Sequence, residues 1–176
     1  MAAYTITPFA KADAAWIAAR HGALYAQDEG FDASFPGLVA QILADFCAHH
    51  DPKFERGWVA WRDPEPDAEA GADEAAETRR GCIFVVRQSA QTPRIAKLRL
   101  VLVEPEARGT GLAQRLLDTA MDFARDAGYS TMRLWTHQSH VAAGRLYARN
   151  GFSLIESEPM RAFGQDVVSQ IWQREL

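Results

Sequence analysis

The clearest chemical signal in this chain is a glycine-rich turn between an apolar run and a helical pattern. Residues 103–114 read VEPEARGTGLAQ, so that Gly109 and Gly111 follow Arg108, and Arg115 comes directly after the segment. Glycine adopts backbone conformations closed to other residues, and the first N–H groups of a helix have no partner within that helix. Such a helix start favours an anion, typically a phosphate. The turn is therefore a candidate phosphate-binding site.

Two common phosphate-binding sequences do not match this turn. A P-loop ends in Gly-Lys-Ser or Gly-Lys-Thr, and the dinucleotide fingerprint has three glycines at another spacing. The turn has neither pattern. The residues alone leave open the alternative of a tight turn that only precedes a capped helix.

Hydrophobic periodicity predicts the elements that position this turn. The predicted strands are YTITP, ERGWVAWR, GCIFVVRQS, RIAKLRLVLVEP, STMRLWT, FSLIES and DVVSQIWQREL. The predicted helices are KADAAWIAARHGALYAQDEG, FPGLVAQILADFCAHH, GTGLAQRLLDTAMDFARDAG and SHVAAGRLYARNG. We expect Ser34 to cap the second helix, and Gly30, Gly128 and Gly151 to end helices. This order of elements predicts a mixed α/β domain with an open, mainly antiparallel sheet.

Residues 63–80 form the one segment of biased composition. They read DPEPDAEAGADEAAETRR, rich in proline, alanine and acidic residues and almost without large apolar side chains. We interpret them as a flexible acidic loop, because predicted strands resume immediately after it. The alternative is a docking surface for a basic partner.

Composition argues against several classes of function. With a formal net charge of −4, the chain has no global signal for binding nucleic acid or an acidic membrane surface. No apolar run approaches the ~20 residues of a membrane span, and the N-terminus lacks the pattern of a signal peptide. Cys47 and Cys82 match no metal-binding spacing, and we expect them to be free thiols in a cytoplasmic protein.

The segment LVEPEARGTGLAQRLL resembles the acyl-CoA-binding motif of the GNAT superfamily of N-acetyltransferases. That motif has Arg or Gln, two residues, Gly, one residue, and Gly or Ala. Arg108, Gly111 and Ala113 match it in place. The resemblance turns the candidate phosphate site into a candidate site for the CoA pyrophosphate.

A second segment, AAGRLYARNGF, resembles a later motif of the same family in Ala143, Tyr147, Gly151 and Phe152. The two motifs lie in the family's order, and the predicted elements match the family fold over nearly the whole chain. The resemblance implies a single GNAT-like domain over residues 1–176, with a six- to seven-stranded sheet flanked by helices on both faces.

The resemblance implies that acetyl-CoA is the co-substrate and that no metal takes part. In this family the backbone amides of the turn hold the pyrophosphate, and the preceding splayed strand pairs with the pantetheine arm. Its bulge supplies the N–H donors for the oxyanion, which fall near Val101 and Leu102 here. The implied cofactor-binding residues are Val101, Leu102, Val103, Arg108, Gly109, Thr110, Gly111, Leu112, Ala113, Ala143 and His140, the last standing where many members have Asn.

The implied chemistry is acetyl transfer from a thioester to an amine, which has to be neutral to attack. Neutralising a lysine-like amine of pKa ~10.4 at pH 7 costs roughly 4–5 kcal/mol, so a base helps. Tyr147 resembles the family's usual proton donor to the departing thiolate; the alternative is a residue that only packs beneath CoA. Glu29 and His137 are candidate bases, with a solvated loop and a surface histidine as the alternatives.

The acceptor site is expected between the first two helices and the central strand. Many family members carry Glu where this chain has Lys97. A charged lysine cannot serve as an ordinary base at this position. It could instead bind an acidic group of the substrate or form a buried ion pair. Asp32, between the first two helices, could bind a cationic amine or deprotonate it through water. Tyr25, Phe35 and Trp135 could wall a pocket or simply belong to the core.

The predicted function is a cytoplasmic, acetyl-CoA-dependent N-acetyltransferase that transfers acetyl directly to the primary amine of a small molecule. The alternatives are an acyl-CoA-binding sensor with little turnover and a protein-lysine acetyltransferase. Residues 20–42 and 96–109 resemble the acetyltransferase half of fusions with MarR-type DNA-binding regulators, but we find no DNA-binding half. Neither nucleic acid nor a membrane is expected as a partner, and a homodimer is compatible with the resemblance because dimers are common in the family.

Overall fold

The described part of the chain follows the order of elements that its periodicity predicts. The computed structural model describes residues 3–63 and 78–176. Its strands are β1 (Tyr4–Pro8), β2 (Arg56–Arg62), β3 (Arg79–Arg87), β4 (Ile95–Val103), β5 (Thr131–His137), β6 (Ser153–Ala162) and β7 (Gln165–Glu175). Its helices are α1 (Ala14–Glu29), α2 (Ser34–His49), α3 (Leu112–Asp126) and α4 (Val141–Arg149). None of these described helices is both long and apolar enough to cross a membrane.

All of these strands belong to one sheet in the order β1-β2-β3-β4-β5-β7-β6. Every pair of neighbours is antiparallel except β4 and β5, which run parallel. A parallel pair needs a long crossover connection, and α3 supplies it. The predicted fold class is therefore confirmed as a mixed, mainly antiparallel α/β domain with a seven-stranded sheet.

The sheet carries a hydrophobic core on each face because its inner strands alternate between the two. In β3, Cys82 and Phe84 pack with residues of α1 and α2, whereas Ile83 and Val85 pack with residues of α3. The buried residues of α3 recur at helical spacing: Leu112, Leu116, Leu117, Ala120, Met121 and Ala124. Helices thus cover both faces of the central strands, as predicted.

The hydrogen-bonded pairing of strands β4 and β5 ends before the strands do. The two strands are paired only as far as Leu98 opposite Leu134. Around Leu100 the register of β4 against β3 shifts by one residue, and Leu100 has a φ of 50°, which non-glycine residues rarely adopt. Beyond Leu98 the parallel strands therefore separate, and one edge of β4 is left without a strand beside it.

Two local predictions need correction. Ser34 does not cap α2 but is its first residue; the Asp32 carboxylate accepts hydrogen bonds from the Ser34 N–H and hydroxyl instead. Arg79 and Arg80 belong to β3, so the predicted loop ends earlier than expected. The rest of that predicted flexible loop, residues 64–77, lies outside the described residues.

Candidate active site

A cavity of about 440 Å³ opens where β4 and β5 separate. Its walls come from α1, α2, α4, the two strands and the turn between β6 and β7. Of the residues singled out in the sequence, those that line it are Tyr25, Phe35, Lys97, Val101, Trp135, His137, His140, Ala143 and Tyr147. Folding therefore brings together side chains from most of the length of the chain.

Aromatic rings close the cavity on the side of α1 and α2. Tyr25 and Phe35 stack with their ring centroids 4.4 Å apart, and Phe163 lies 4.9 Å from Phe35. Phe163 stands at the turn between β6 and β7, and its carbonyl accepts a hydrogen bond from the Asp32 N–H at 3.0 Å. That backbone bond fixes the turn against the α1–α2 connection and holds Phe163 over the cavity.

The glycine-rich turn lies at the start of α3, directly after the open end of β4. Gly109 and Gly111 have φ values of 77° and 87°, and a Cβ at either position would meet nothing within 4 Å. The N–H groups of Gly109, Thr110 and Gly111 donate to no described residue, and no side chain caps α3. The turn thus presents free donors to open space, which is what binding of a phosphate group requires.

Other contacts shape this turn without occupying its donors. Arg108 donates through Nε to the Val103 carbonyl, and its Nη2 lies 3.4 Å from Asp28 Oδ2. Both partners of that ion pair are about half exposed, so it contributes little to stability. The Thr110 hydroxyl donates to the Ala107 carbonyl at 2.7 Å. Arg108 is therefore close enough to the turn to add positive charge.

The remaining cofactor-binding candidates differ in whether their side chains or only their backbone groups can contact a ligand. Leu102 and Leu112 bury their side chains in the two cores, which leaves only their backbone groups to contact a ligand. Ala113, in the first turn of α3, packs partly against the core. Val101 and Ala143 line the cavity.

Tyr147 of α4 presents a buried phenol to the cavity. The side chain is 4% exposed and makes no hydrogen bond with another described residue. Burial raises the pKa of Tyr147, and the nearby Tyr25 adds to this shift. The phenol therefore keeps its proton at neutral pH and is available as a hydrogen-bond donor.

Glu29 and His140 form a partly buried, hydrogen-bonded pair at the edge of the cavity. The Glu29 Oε1 lies 3.1 Å from His140 Nε2, and the Thr136 hydroxyl lies 3.1 Å from His140 Nδ1. Burial lowers the pKa of His140, and the charge of Glu29 opposes this shift. Since a carboxylate accepts hydrogen bonds, Nε2 carries the hydrogen of the neutral ring and Nδ1 is left as the acceptor. His140 and Thr136 line the cavity, whereas Glu29 stands behind them.

Three buried nitrogen atoms in this cavity have no partner among the described residues. They are both ring nitrogens of His137 and Nε2 of His21, whose Nδ1 contacts the Ile17 carbonyl. Burial lowers the pKa of each of the two histidines to about 4, so both rings are neutral at pH 7. Buried polar atoms are nearly always hydrogen-bonded, and orphaned ones indicate a ligand or water.

Lys97 and Arg99 project from β4 into the same cavity. Sequence reasoning singled out Lys97 but missed Arg99, although a spacing of two residues on a strand indicates a shared face. It also missed His21 and Thr136, for which the sequence carries no comparable signal. Asp32, proposed as a substrate-binding residue, does not line the cavity, and its carboxylate is engaged by Ser34.

No thiol lines the cavity, and no metal site is found in the part of the chain that the structure describes. Cys82, the buried cysteine of the described residues, donates to the Leu100 carbonyl at 3.1 Å, and burial raises its pKa. The described residues contain no group of three or more histidine, cysteine or acidic side chains that could hold a metal ion.

The sequence of the chain matches known acetyltransferases. A family model described as the acetyltransferase (GNAT) family matches residues 24–152. The mycothiol acetyltransferase of Rhodococcus erythropolis is 31% identical over 100 residues, which cover 56% of this chain and 33% of that protein. The aligned part thus spans about a third of the length of that relative.

Solved structures match the fold over nearly the whole chain. A GCN5-related N-acetyltransferase from Kribbella flavida has a TM-score of 0.74 at 19% identity, covering 99% of this chain and 98% of that one. A Salmonella typhimurium protein, solved with its cofactor acetyl-CoA, has a TM-score of 0.70 at 20% identity, covering 98% of this chain and 94% of that one. At these identities the likeness is evidence for the fold alone.

Proposed function

We propose that this chain, which belongs to the GNAT acetyltransferase family, is an acetyl-CoA-dependent enzyme that acetylates the primary amine of a small molecule by direct transfer. The observation that carries the proposal is the cavity of about 440 Å³ beside the glycine-rich turn. A volume of this order suits a small ligand.

Acetyl-CoA fits the residues present. Free N–H groups at Gly109, Thr110 and Gly111, with open space in front of them, suit the pyrophosphate, and Arg108 adds positive charge. The unpaired edge of β4 beyond Leu98 suits the amide groups of the pantetheine arm. When bound, acetyl-CoA supplies an acetyl group activated as a thioester.

Direct transfer is supported by the residues that line the cavity. An acetyl-enzyme intermediate needs a nucleophilic side chain, and the described lining contains no cysteine or serine. Thr136 offers its hydroxyl to His140, and Cys82 lies beneath Leu100 with its thiol engaged. The acceptor amine is therefore the proposed nucleophile.

Two residues are proposed to handle protons: His140 for the acceptor amine and Tyr147 for the leaving thiolate. The acceptor amine gives its proton to the Thr136 hydroxyl, which passes its own hydrogen to Nδ1 of His140, while Glu29 accepts the hydrogen bond from Nε2 and stabilises the imidazolium that forms. Tyr147 holds a proton on Oη for the leaving group. His137 has no carboxylate partner to stabilise an imidazolium, and burial lowers its pKa to about 4, so its proposed role shifts to contact with the acceptor.

One observation favours a second candidate, an acyl-CoA-binding sensor with little turnover. Lys97 stands where the resemblance predicts a glutamate base, and the sequence also resembles MarR-type regulator fusions. A protein-lysine acetyltransferase is a further alternative within the enzyme class. The single domain over residues 1–176, the homodimer and the cytoplasmic location stay predictions.

The test is release of the CoA thiol from acetyl-CoA in the presence of a panel of small amines and a lysine-containing peptide. We expect thiol release that depends on a small amine. Tyr147→Phe should lower kcat by about 100-fold or more with little change in the KM for acetyl-CoA. Tyr129→Phe is the matched control, because the Tyr129 hydroxyl donates to the Phe54 carbonyl and the side chain does not line the cavity. Slow hydrolysis that no amine accelerates would favour the sensor instead, and wild-type kcat in Tyr147→Phe would remove this residue from the mechanism.

A further inference from the structure

We propose that Lys97 and Arg99 form an anion subsite, so that the acceptor is an amine that also carries a carboxylate, as amino acids do. This inference rests on the proposed function and names its substrate class. It assigns Arg99, which the sequence motifs do not single out, a role in recognising the acceptor.

The two cations lie side by side on one face of β4. Lys97 and Arg99 are two residues apart on the strand and both line the cavity. Both are only partly exposed. Burial lowers the pKa of Lys97, and the charge of Arg99 lowers it further; burial also lowers the pKa of Arg99. Like charges in a partly desolvated site disfavour one another, and a bound anion would relieve both costs.

Neither cation has a counter-ion within the described residues. Lys97 and Arg99 make no hydrogen bond or ion pair with any of them, and the described lining of the cavity contains no aspartate or glutamate. The nearby carboxylates are engaged elsewhere: Glu29 with His140, and Asp45 with the Gln41 amide at 2.9 Å. Asp45 acts on Arg99 only as a more distant charge. The pair is therefore available to an anion from outside the chain.

His137 adds a second, independent indication of a polar ligand. It is 2% exposed, lines the same cavity, and has no partner for either ring nitrogen. Being neutral at pH 7, its ring carries one N–H donor and one acceptor. A carboxylate can accept from that N–H as well as from a cation, whereas a plain alkylamine offers no acceptor atom once protonated.

The charge of the site also disfavours a cationic acceptor. A protein lysine or a polyamine would bring its positive charge towards Lys97 and Arg99 without a carboxylate in the described lining to offset it. Arg99 also borders a second cavity of about 530 Å³ beneath α2, which shares Leu38, Ile42 and Leu100 with the first and, unlike the first, is lined by two carboxylates, those of Asp45 and Glu55. An amino acid with a long side chain could therefore place its carboxylate at Arg99 and extend its side chain into this space.

The test compares acceptor pairs in which only one member has a carboxylate, methionine with methioninamide and phenylalanine with phenethylamine. Acetylation is measured as kcat/KM in wild type, Lys97→Met, Arg99→Gln and a control, Arg133→Gln. Arg133 is also partly exposed on the neighbouring strand, but it does not line the cavity and donates to Gln173. In parallel, calorimetry in the presence of CoA measures binding of N-acetylmethionine and of its amide.

We expect wild type to prefer the carboxylate member of each pair by about 10- to 100-fold, the range for a charge-assisted hydrogen bond. Lys97→Met and Arg99→Gln should lose that preference, because kcat/KM falls for the carboxylate member of each pair, and Arg133→Gln should keep it. Equal use of both members, or a preference that survives both substitutions, would overturn the anion subsite and leave the proposed function intact. If no amine is acetylated, the proposed function fails, and the calorimetry alone decides the subsite: binding of N-acetylmethionine that is lost in Lys97→Met supports it, and equal binding of acid and amide refutes it.

Discussion

Replacing Gly111 by glutamate separates the folding role of the glycine-rich turn from its role in binding acetyl-CoA. Gly111, with a φ of 87°, precedes the first residue of α3, and Gly128, with a φ of 85°, lies just past its last. A Cβ would meet nothing within 4 Å at either position. Gly128→Glu is therefore a matched control, with the same strain and the same added charge at the opposite end of the helix.

The expected cost to folding follows from the backbone and the helix dipole. A non-glycine residue in the left-handed region costs about 1–2 kcal/mol. A carboxylate stabilises a helix N-terminus by about 0.3–1 kcal/mol and destabilises a C-terminus by a similar amount. Gly111→Glu should therefore lower the free energy of unfolding by about 0–2 kcal/mol, and Gly128→Glu by about 1–3 kcal/mol.

Gly128→Glu is expected to lose more stability, whereas Gly111→Glu is expected to lose more affinity for acetyl-CoA. At residue 111 the new carboxylate stands in front of the free N–H groups of the turn and repels a pyrophosphate. Residue 128 lies at the far end of a 15-residue helix. At ~1.5 Å per residue this is about 22 Å away, roughly twice the Debye length at 0.1 M salt. We expect the Kd for acetyl-CoA to rise by at least about 10-fold, or about 1.4 kcal/mol, in Gly111→Glu and to stay unchanged in Gly128→Glu.

Isothermal titration calorimetry gives the Kd, and thermal unfolding of the same samples gives the stability. The variant that keeps more stability should be the one that loses binding. If both variants lose affinity in proportion to their loss of Tm, the effect is on folding and the turn has no special role. If wild type itself does not bind acetyl-CoA, the turn is only the start of a helix.

Two further substitutions test the contacts of two carboxylates, Glu29 and Glu104. Burial lowers the pKa of His140 and the charge of Glu29 opposes this, so Glu29→Gln should lower that pKa further. The acidic limb of kcat/KM should then move to lower pH, and an unmoved limb would argue against His140 as the base. Arg20→Met should lower the free energy of unfolding by about 2–4 kcal/mol, because Glu104, 5% exposed, would lose both hydrogen bonds from Arg20 and stay buried. Chemical denaturation measures this, Glu104→Gln in the same chain should recover part of the loss, and a loss below about 0.5 kcal/mol would contradict it.

The turn and its flanking elements were predictable because their determinants are local. Glycines that adopt positive φ, the apolar spacing of α3 and the apolar run of β4 are properties of neighbouring residues, so the pattern indicates them directly. Local rules failed where two residues could perform the same role. Ser34 and Asp32 are both good capping residues, and the turn after Gly30 decides that Asp32 accepts the hydrogen bonds.

The sequence by itself determined the element order, the two motifs and, through them, the family and the position of Tyr147. Only the tertiary structure decided which charges are paired. The packing of α1 against the ends of β5 and α4 joins Glu29 to His140, and the separation of β4 from β5 leaves Lys97 and Arg99 facing a cavity without a described counter-ion. Partner choice, burial and pKa depend on residues distant in the chain, because desolvation and ion pairing act through space and have no period in the sequence.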